Sequence, residues 1–274
     1  MPDAGRLVAG LLLSGLIGAL AYWRGSLTAG GWLGAVLVGT VTVAWGGWSW
    51  GALVVLFFVS SSALSHWRRA AKAALAADKF AKHERRDLLQ VLANGGVTAL
   101  CALLFGLNHA TWLWLAGLGA LATATADTWA TEVGTLSRRP PRLITNGRVA
   151  PPGTSGAVTR LGWGASLAGA ATIALGALVA SRATGQAGGL VDMLALLLGG
   201  LAGALADSLL GATWQMVRWC PHCGSATERA VHRCGTPTTH LRGWRWLDND
   251  LVNLLATGVG ALVSAVLGVV LLPA

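Results

Sequence analysis

The stretch LVDMLALLLGGLAGALADSLLGA, residues 190–212, gives the clearest indication of how this chain folds. It is apolar over slightly more than the roughly 20 residues that an α-helix needs to cross a bilayer. It nevertheless carries Asp207 near its end. A carboxylate in hydrocarbon is expensive, so such a residue commonly has a partner, binds a metal or lines a pathway. The stretch therefore predicts a membrane-spanning helix that carries part of a functional site.

The composition extends this prediction to the whole chain. Of the 274 residues, 54% are hydrophobic and 11% are charged, whereas soluble domains average about 25% charged residues. Lipid-spanning segments of this kind must be helical, and the 38 glycines favour closely packed helices. We expect an all-α, polytopic transmembrane helical bundle forming a single membrane domain, 1–274. Its eight spans are expected at residues 6–23, 27–45, 48–66, 88–107, 110–129, 158–180, 190–212 and 250–271.

The basic residues predict the orientation of this bundle. Of the 20 Lys and Arg residues, all except Arg6 and Arg182 fall in connections on one side of the membrane. The positive-inside rule places that side in the cytoplasm and both termini outside it. The net charge of +9 then reflects topology, and nucleic acid is not needed as a partner to explain it. We expect an integral cell-membrane protein whose site faces the cytoplasm.

Three cytoplasmic excursions are expected between the spans. Residues 67–87 are basic and rich in alanine, which predicts an amphipathic helix on the membrane surface. Within it, Arg85 and Arg86 adjoin the next span and could reach a ligand. Residues 133–157 contain PRLITNGRVAPPGTSG, where Pro and Gly exclude a regular helix. Residues 213–249 carry the clustered cysteines.

Polar residues of four predicted helices lie at a common depth. At 1.5 Å per residue, they fall within about 9 Å of the cytoplasmic boundary. Carboxylates accompanied by amides suit a hard divalent cation such as Mg²⁺. Isolated interhelical hydrogen bonds and helix caps remain the alternative for any one of them. The polar residues of this set are Asn94, Asp127, Thr128, Glu132, Asp207, Asn249, Asp250 and Asn253.

The turn PPGTSG, residues 151–156, is a candidate phosphate-binding loop. It offers backbone N–H groups just before a helix, where anions bind favourably. Arg142 and Arg148 could pair with phosphates nearby. A Pro-rich turn before a helix is also common without a ligand. The binding residues of the turn would be Gly153, Thr154, Ser155 and Gly156.

The cysteines predict a second metal site. Cys220, Cys223, His232 and Cys234 follow a C-x2-C-x8-H-x-C spacing, which is acceptable for tetrahedral structural zinc. His222 or His240 could replace one of these ligands, and an inert loop is the alternative. Because the cytoplasm is reducing, disulfides are not expected there.

Several motifs together resemble one integral membrane family. VLANGG (91–96), ATADTWATEVG (124–134), the 141–156 loop and HRCGTPTTHLRGWRWLDNDLVNLLAT (232–257) are similar to the family called domain of unknown function 92. Its eukaryotic relatives include transmembrane protein 19 and the plastid phytyl-phosphate kinase. The resemblance implies CTP-dependent phosphorylation of an isoprenyl phosphate.

The same resemblance implies roles for the polar residues. Asp127, Thr128, Ala130 and Gly134 fit a D-T-x-A-x-x-x-G helix shared with phytol and dolichol kinases, and either Asp248–Asn249 or Asp250 fits a late D-N pair. Asp127 and Asp207 would bind Mg²⁺, with Glu132 and Asp250 assisting. The asparagines at 94, 249 and 253 would orient phosphates or nucleotide, and Arg142, Arg148 and the 153–156 turn would bind phosphate. The implied partners are CTP, an isoprenoid lipid phosphate and the bilayer.

Other function classes remain open from the sequence. A cation- or proton-coupled transporter also places acids in the membrane, although it favours acids near mid-bilayer. A CTP:lipid-phosphate cytidylyltransferase would use the same kind of metal site and differ only in its products. A membrane scaffold would leave the common depth of the polar residues unexplained.

Overall fold

The computed structural model describes residues 3–76, 85–184 and 189–271, which are mostly helical. Each predicted span coincides with one long helix, to within about five residues at its ends, so the predicted helical bundle is confirmed. The long helices are α1 (Ala4–Trp23), α2 (Ala29–Val41), α3 (Trp48–His66), α5 (Leu88–Asn108), α6 (Thr111–Gly134), α7 (Arg160–Thr184), α8 (Leu190–Thr213) and α9 (Asn249–Leu271), and the short helix α4 is Arg69–Ala76.

The central helix α6 differs from its neighbours in composition. Within the described residues, seven helices are long and apolar enough to span a bilayer, and α6 is not among them. Predicted as the span 110–129, it has 24 residues, but threonines and Asp127 lower its hydropathy. It packs against α3, α5, α7, α8 and α9, and residues 113–126 are buried. A helix enclosed by other helices does not need the apolar surface that lipid requires.

Glycines let α6, α8 and α9 approach closely. A Cβ atom at Gly260 of α9 would clash with Thr123 Oγ1, and one at Gly199 of α8 would clash with Ser264 Oγ. The Ser264 hydroxyl also donates to the carbonyl of Ala195, at 3.2 Å, and so joins α9 to α8. The high glycine content therefore serves the helix packing, as small residues do in other membrane bundles.

Local hydrogen bonds fix where the helices around the site begin. Thr28 caps α2 by accepting an N–H of its first turn at 3.0 Å. Asp87 and Gln90 form a capping box at α5, in which each accepts the other's backbone N–H, at 2.9 and 3.1 Å. After α2, a π-helical turn spans Thr42–Gly46, and Gly47 breaks the helix with φ +88°.

Six helix ends meet at one end of the bundle. The C-terminal ends of α3, α6 and α8 and the N-terminal ends of α5, α7 and α9 all line a single cavity. From α3 onward, consecutive long helices therefore run in opposite directions, as an eight-span topology requires of them.

Two small antiparallel sheets lie in segments that the sequence predicted as loops. In the 133–157 segment, β1 (Arg142–Leu143) pairs with β2 (Ala157–Val158). In the 213–249 segment, the strand order is β4-β3-β5. These strands are β3 (Val217–Cys220), β4 (Ser225–Thr227) and β5 (Thr239–Arg242). Of the amphipathic helix predicted at 67–87, α4 covers the first part, and residues 77–84, with Lys79 and Lys82, lie outside the described residues.

Candidate active site

A cavity of about 800 Å³ occupies the end of the bundle where the six helix ends meet. It is large enough for a nucleotide-sized ligand, since small-molecule sites commonly measure about 300–1,000 Å³. Every polar residue predicted from the spans and the 151–156 turn contributes to its lining. These residues are Asn94, Asp127, Thr128, Glu132, Gly153, Thr154, Ser155, Gly156, Asp207, Asn249, Asp250 and Asn253.

Three carboxylates interact within this cavity. Asp127 on α6 and Asp207 on α8 are close enough for their charges to interact, and Glu228, after β4, also interacts with Asp207. Among the described residues, Asp207 Oδ2 is buried without a hydrogen-bond partner. Glu228 accepts hydrogen bonds from Ser155 Oγ and Gln215 Nε2, both at 2.7 Å. An unpartnered buried carboxylate oxygen is costly, and a bound cation would satisfy it.

The start of α9 supplies a second polar wall. Asp248 Oδ1 accepts the N–H of Leu251 at 3.0 Å and so caps the helix. Asp250, the second residue of α9, lines the cavity and is 8% exposed. Of the two late candidates that the sequence left open, Asp248 is therefore partly committed to capping, while Asp250 lies buried in the lining.

Glu132 has a different environment from the one expected for a residue that assists a metal. It accepts a hydrogen bond from Ser65 Oγ at 2.6 Å and forms an ion pair with Lys72. Lys72 also donates to the carbonyls of Leu64 and Ser65, at 2.7 and 3.1 Å. Through these contacts Glu132 joins α6 to the end of α3 and to α4. Its carboxylate is already paired with Lys72, so it is less available to a metal ion.

The 153–156 turn is held against the end of α8. Gly153 and Gly156 have φ of +75° and +74°, a region that favours glycine. A Cβ atom at Gly156 would clash with Ala212 of α8. The carbonyl of Gly156 accepts a hydrogen bond from the N–H of Ile144 at 3.0 Å. This close approach brings the turn to the cavity beside Asp207.

Arg142 and Arg148, predicted to bind phosphate, do not line the cavity. Both are exposed, and Arg142 Nη1 donates to the carbonyl of Gly147 at 2.8 Å. Arg142 lies in β1 and Arg148 in the segment between the two strands, and both side chains are exposed outside the cavity that the glycine turn lines. Among the residues that the structure describes, the arginines and lysines that do line the cavity are Arg69, Lys72, Arg86, Arg229 and Arg233.

Arg86 is held in place through its backbone. Its N–H donates to the carbonyl of Ser26, and its carbonyl accepts the N–H of Thr28, both at 3.0 Å. The guanidinium lies 5.7 Å from the centre of the Phe57 ring. Burial lowers the pKa of Arg86, and the negative charge of Glu132 opposes this shift. The α1–α2 connection therefore fixes a partly desolvated cation at the cavity wall.

A narrow apolar groove lies beside the cavity, and Arg86, Gln90 and Asn94 line both. The groove holds about 80 Å³ and runs between α1, α2, α3 and α5. Apart from these three residues and Ser14, its walls are apolar or glycine, including Val55 of α3. The polar cavity therefore borders a small space that is lined mainly by apolar side chains.

The predicted zinc ligands form a separate cluster. The ligand atoms of Cys220, Cys223, His232 and Cys234 all lie within 4.8 Å of one another, and none of the four lines the cavity. Hydrogen bonds with Thr236 and His232 lower the pKa of the Cys234 thiol to about 5. A hydrogen bond with Cys234 raises the pKa of the Cys223 thiol to about 11.

Comparison with known proteins identifies the family. A family model described as integral membrane protein DUF92 matches residues 12–261. The chain belongs to the DUF92 family. It is 31% identical to Protein PGR of Arabidopsis thaliana, over 96% of each chain. It is also 30% identical to an uncharacterized membrane protein of Methanocaldococcus jannaschii, over 96% of this chain and 94% of that one.

A third DUF92 relative is an uncharacterized membrane protein of Synechocystis sp., 33% identical over 87% of this chain and 81% of that one. No solved structure matches. The DUF92 match includes every residue that lines the cavity, because these residues all fall between 65 and 253.

Sequence reasoning missed part of the DUF92 cavity. Arg229 and Arg233 were not expected in it. Both lie between Cys223 and Cys234 along the chain, and this position inside the cysteine cluster is the signal that could have indicated them. Lys72 and Glu228 also line the cavity. Lys72 was expected on the membrane surface as part of the basic 67–87 segment, and no sequence motif surrounds Glu228. A site with carboxylates on one wall and cations on another can bind a polyanion together with a divalent cation.

Proposed function

We propose that this DUF92 protein is a CTP-dependent kinase that converts an isoprenyl monophosphate, of phytyl or geranylgeranyl type, to the diphosphate. The observation that carries the proposal is a polar, charged cavity that shares a wall with an apolar groove at one end of a membrane helical bundle. A substrate with a hydrocarbon chain and an anionic head group needs an apolar groove next to a polar cavity.

Magnesium fits the carboxylate wall of the cavity. Asp127 and Asp207 would hold it, with Asp250 nearby, since hard oxygen ligands suit Mg²⁺. The unpartnered Oδ2 of Asp207 is the feature of the chain that supports this ligand role. When bound, the metal would neutralise negative charge on the phosphates of the nucleotide.

The remaining residues would bind and orient the two substrates. Arg86 and Arg233 would pair with phosphate oxygens, and the backbone of the 153–156 turn would bind a further phosphate. Asn94, Asn249 and Asn253 would orient the nucleotide or the acceptor. The lipid phosphate already carries a nucleophilic oxygen at neutral pH, so no strong base is required.

The reaction balances without a further reactant. An oxygen of the isoprenyl phosphate forms a bond to the γ-phosphorus of CTP, and the bond from that phosphorus to the β–γ bridging oxygen breaks. CDP leaves with the electron pair. Catalysis then depends on positioning and charge stabilisation, which supply most of the acceleration in phosphoryl transfer.

The distribution of basic residues supports a cytoplasmic position for the cavity. Of the Lys and Arg residues that the structure describes, all except Arg6 and Arg182 lie in connections or helix ends on the cavity side of the bundle. The positive-inside rule would place that end in the cytoplasm, where CTP is available.

The decisive experiment resolves the products of the purified protein incubated with Mg²⁺, CTP and geranylgeranyl monophosphate. We expect geranylgeranyl diphosphate and CDP, with turnover reduced about 100-fold or more in Asp127→Asn and Asp207→Asn. Asp3→Asn is the matched control, since Asp3 caps α1 at the other end of the bundle. A CMP-lipid with pyrophosphate would identify a cytidylyltransferase instead. Absence of turnover in folded protein would overturn the proposal and favour a transporter.

A further inference from the structure

Two turns present the cysteine cluster at the edge of the β3–β5 sheet. β3 ends at Cys220, where Gly224 N donates to the Cys220 carbonyl at 3.0 Å and Cys223 N approaches Cys220 Sγ at 3.5 Å. In the second turn, Gly235 N donates to the His232 carbonyl at 2.9 Å. Gly224 and Gly235 both have positive φ, at +60° and +83°. The backbone therefore folds twice to bring the four side chains together.

The distances match a metal site. Cys220 Sγ and Cys234 Sγ are 3.6 Å apart, and His232 Nδ1 lies 3.2 Å from Cys234 Sγ. Sulfurs bound to one tetrahedral Zn²⁺ at about 2.3 Å lie about 3.8 Å apart. A disulfide would require about 2.05 Å, and all the cysteines are free thiols.

The histidine of the cluster is buried. The side chain of His232 is 5% exposed, although three flanking residues, Val231, Arg233 and Cys234, are exposed. A bound metal ion would satisfy the polarity of a buried imidazole that lies next to a thiol in an otherwise exposed loop. His222 Nδ1 lies 3.6 Å from Cys223 Sγ, but His222 is exposed.

The cluster is connected to the cavity through its own loop. Arg233 lies between His232 and Cys234, and Glu228 and Arg229 come shortly before His232. All three charged residues line the cavity. Thr238 ties the loop together, donating from Oγ1 to the carbonyl of Arg229 at 2.6 Å. Fixing the cluster therefore fixes where these charged side chains stand.

We propose that Cys220, Cys223, His232 and Cys234 bind one structural Zn²⁺, which holds the 225–238 loop so that Arg229 and Arg233 face the cavity. Four protein ligands leave no open position on the ion, so it takes no part in chemistry. The inference stands independently of the proposed kinase activity.

Metal content tests the site directly. Protein purified in detergent without added metal should contain one zinc per chain by elemental analysis. Cys223→Ser should lose it, and His222→Ala, the neighbouring exposed histidine, should retain it. Protein with cobalt in place of zinc should show the visible absorption of tetrahedral cobalt bound to thiolate. Zinc-free protein with a Cys220–Cys234 disulfide, or full zinc retention in Cys223→Ser, would overturn the proposal.

Proteolysis tests the effect on the loop in the unmodified protein. Trypsin cuts after Arg229 and Arg233, and we expect a zinc chelator to accelerate these two cuts about tenfold, because the loop then opens more often. Cleavage after Arg142, in the other loop, should not change. Restoring zinc should restore protection, which separates loss of the metal from general unfolding. Equal cleavage with and without the chelator would contradict the structural role.

Discussion

Arg86 and Arg142 carry the same side chain, but only Arg86 faces the cavity. The difference comes from the backbone: the α1–α2 connection clamps Arg86, while β1 directs Arg142 outward. Sequence alone placed Arg142 beside the glycine turn because the two are close along the chain. Whether the Arg142 side chain reaches the cavity depends on the pairing of β1 with β2. Strands of two residues leave no recognisable pattern in the sequence.

The first prediction concerns these two arginines. Arg86→Gln should lower kcat/KM of the proposed transfer about 10- to 100-fold, since a charge-assisted hydrogen bond to phosphate is lost. Arg86→Lys should recover part of the loss. Arg142→Gln should stay near the unmodified rate. Steady-state kinetics with CTP as the varied substrate measures all three, and equal effects of Arg86→Gln and Arg142→Gln would contradict the assignment.

The second prediction concerns the pair of Lys72 and Glu132. Lys72→Met should lower the free energy of unfolding by about 1–3 kcal/mol, because it leaves a partly buried carboxylate without its cation. Adding Glu132→Gln should recover part of this loss, so the double variant should lose less than the sum of the single ones. Thermal unfolding in detergent provides the measurement. Additive losses would mean that the pair contributes nothing beyond its separate residues.

The helices themselves were largely predictable, because a run of about 20 apolar residues has one solution in a bilayer. The common depth of Asp127, Asp207 and Asp250 likewise predicted that their helices meet. Two features were not predictable from periodicity. One is the enclosure of α6 by five other helices, and the other is the fold of the 213–249 segment, whose short strands depend on pairing between distant residues.

The third prediction concerns the contact of α9 with α6. Gly260→Ala should lower the melting temperature, because the added Cβ clashes with Thr123 Oγ1 in a packed interface. Gly258→Ala is the control on the same helix, since a Cβ there meets nothing within 4 Å. Alanine also has the better helix propensity. Gly258→Ala should therefore be neutral or slightly stabilising, and identical melting of the two variants would contradict the close packing.

The fourth prediction concerns the groove. Val55→Trp should fill it and raise KM for geranylgeranyl monophosphate, while KM for the five-carbon dimethylallyl monophosphate should change little. Val59→Trp, one turn further along α3 and outside the groove lining, is the matched control. A loss that is equal for both acceptors would mean that the groove does not receive the chain.

The fifth prediction concerns the orientation of the whole molecule. Alkaline phosphatase fused after Ala274 should be active, because it folds only outside the cytoplasm, and green fluorescent protein fused there should be dark. The reverse pattern is expected for fusions in the connection after α6, near Arg138 and Arg139. The same pattern at both positions would contradict the alternation of the eight helices, and an inverted pattern would place the cavity outside the cell.

The enclosure of α6 has a consequence for biogenesis. A segment that is less apolar than its neighbours partitions poorly into lipid by itself. Only His109 and Ala110 separate α5 from α6, so the two helices can enter the bilayer as one hairpin, with α5 supplying the hydrophobicity. The residues that make α6 suitable for a polar site thus make its membrane insertion depend on a neighbouring helix. Substitutions that lower the hydrophobicity of α5 should therefore also reduce the insertion of α6 during synthesis.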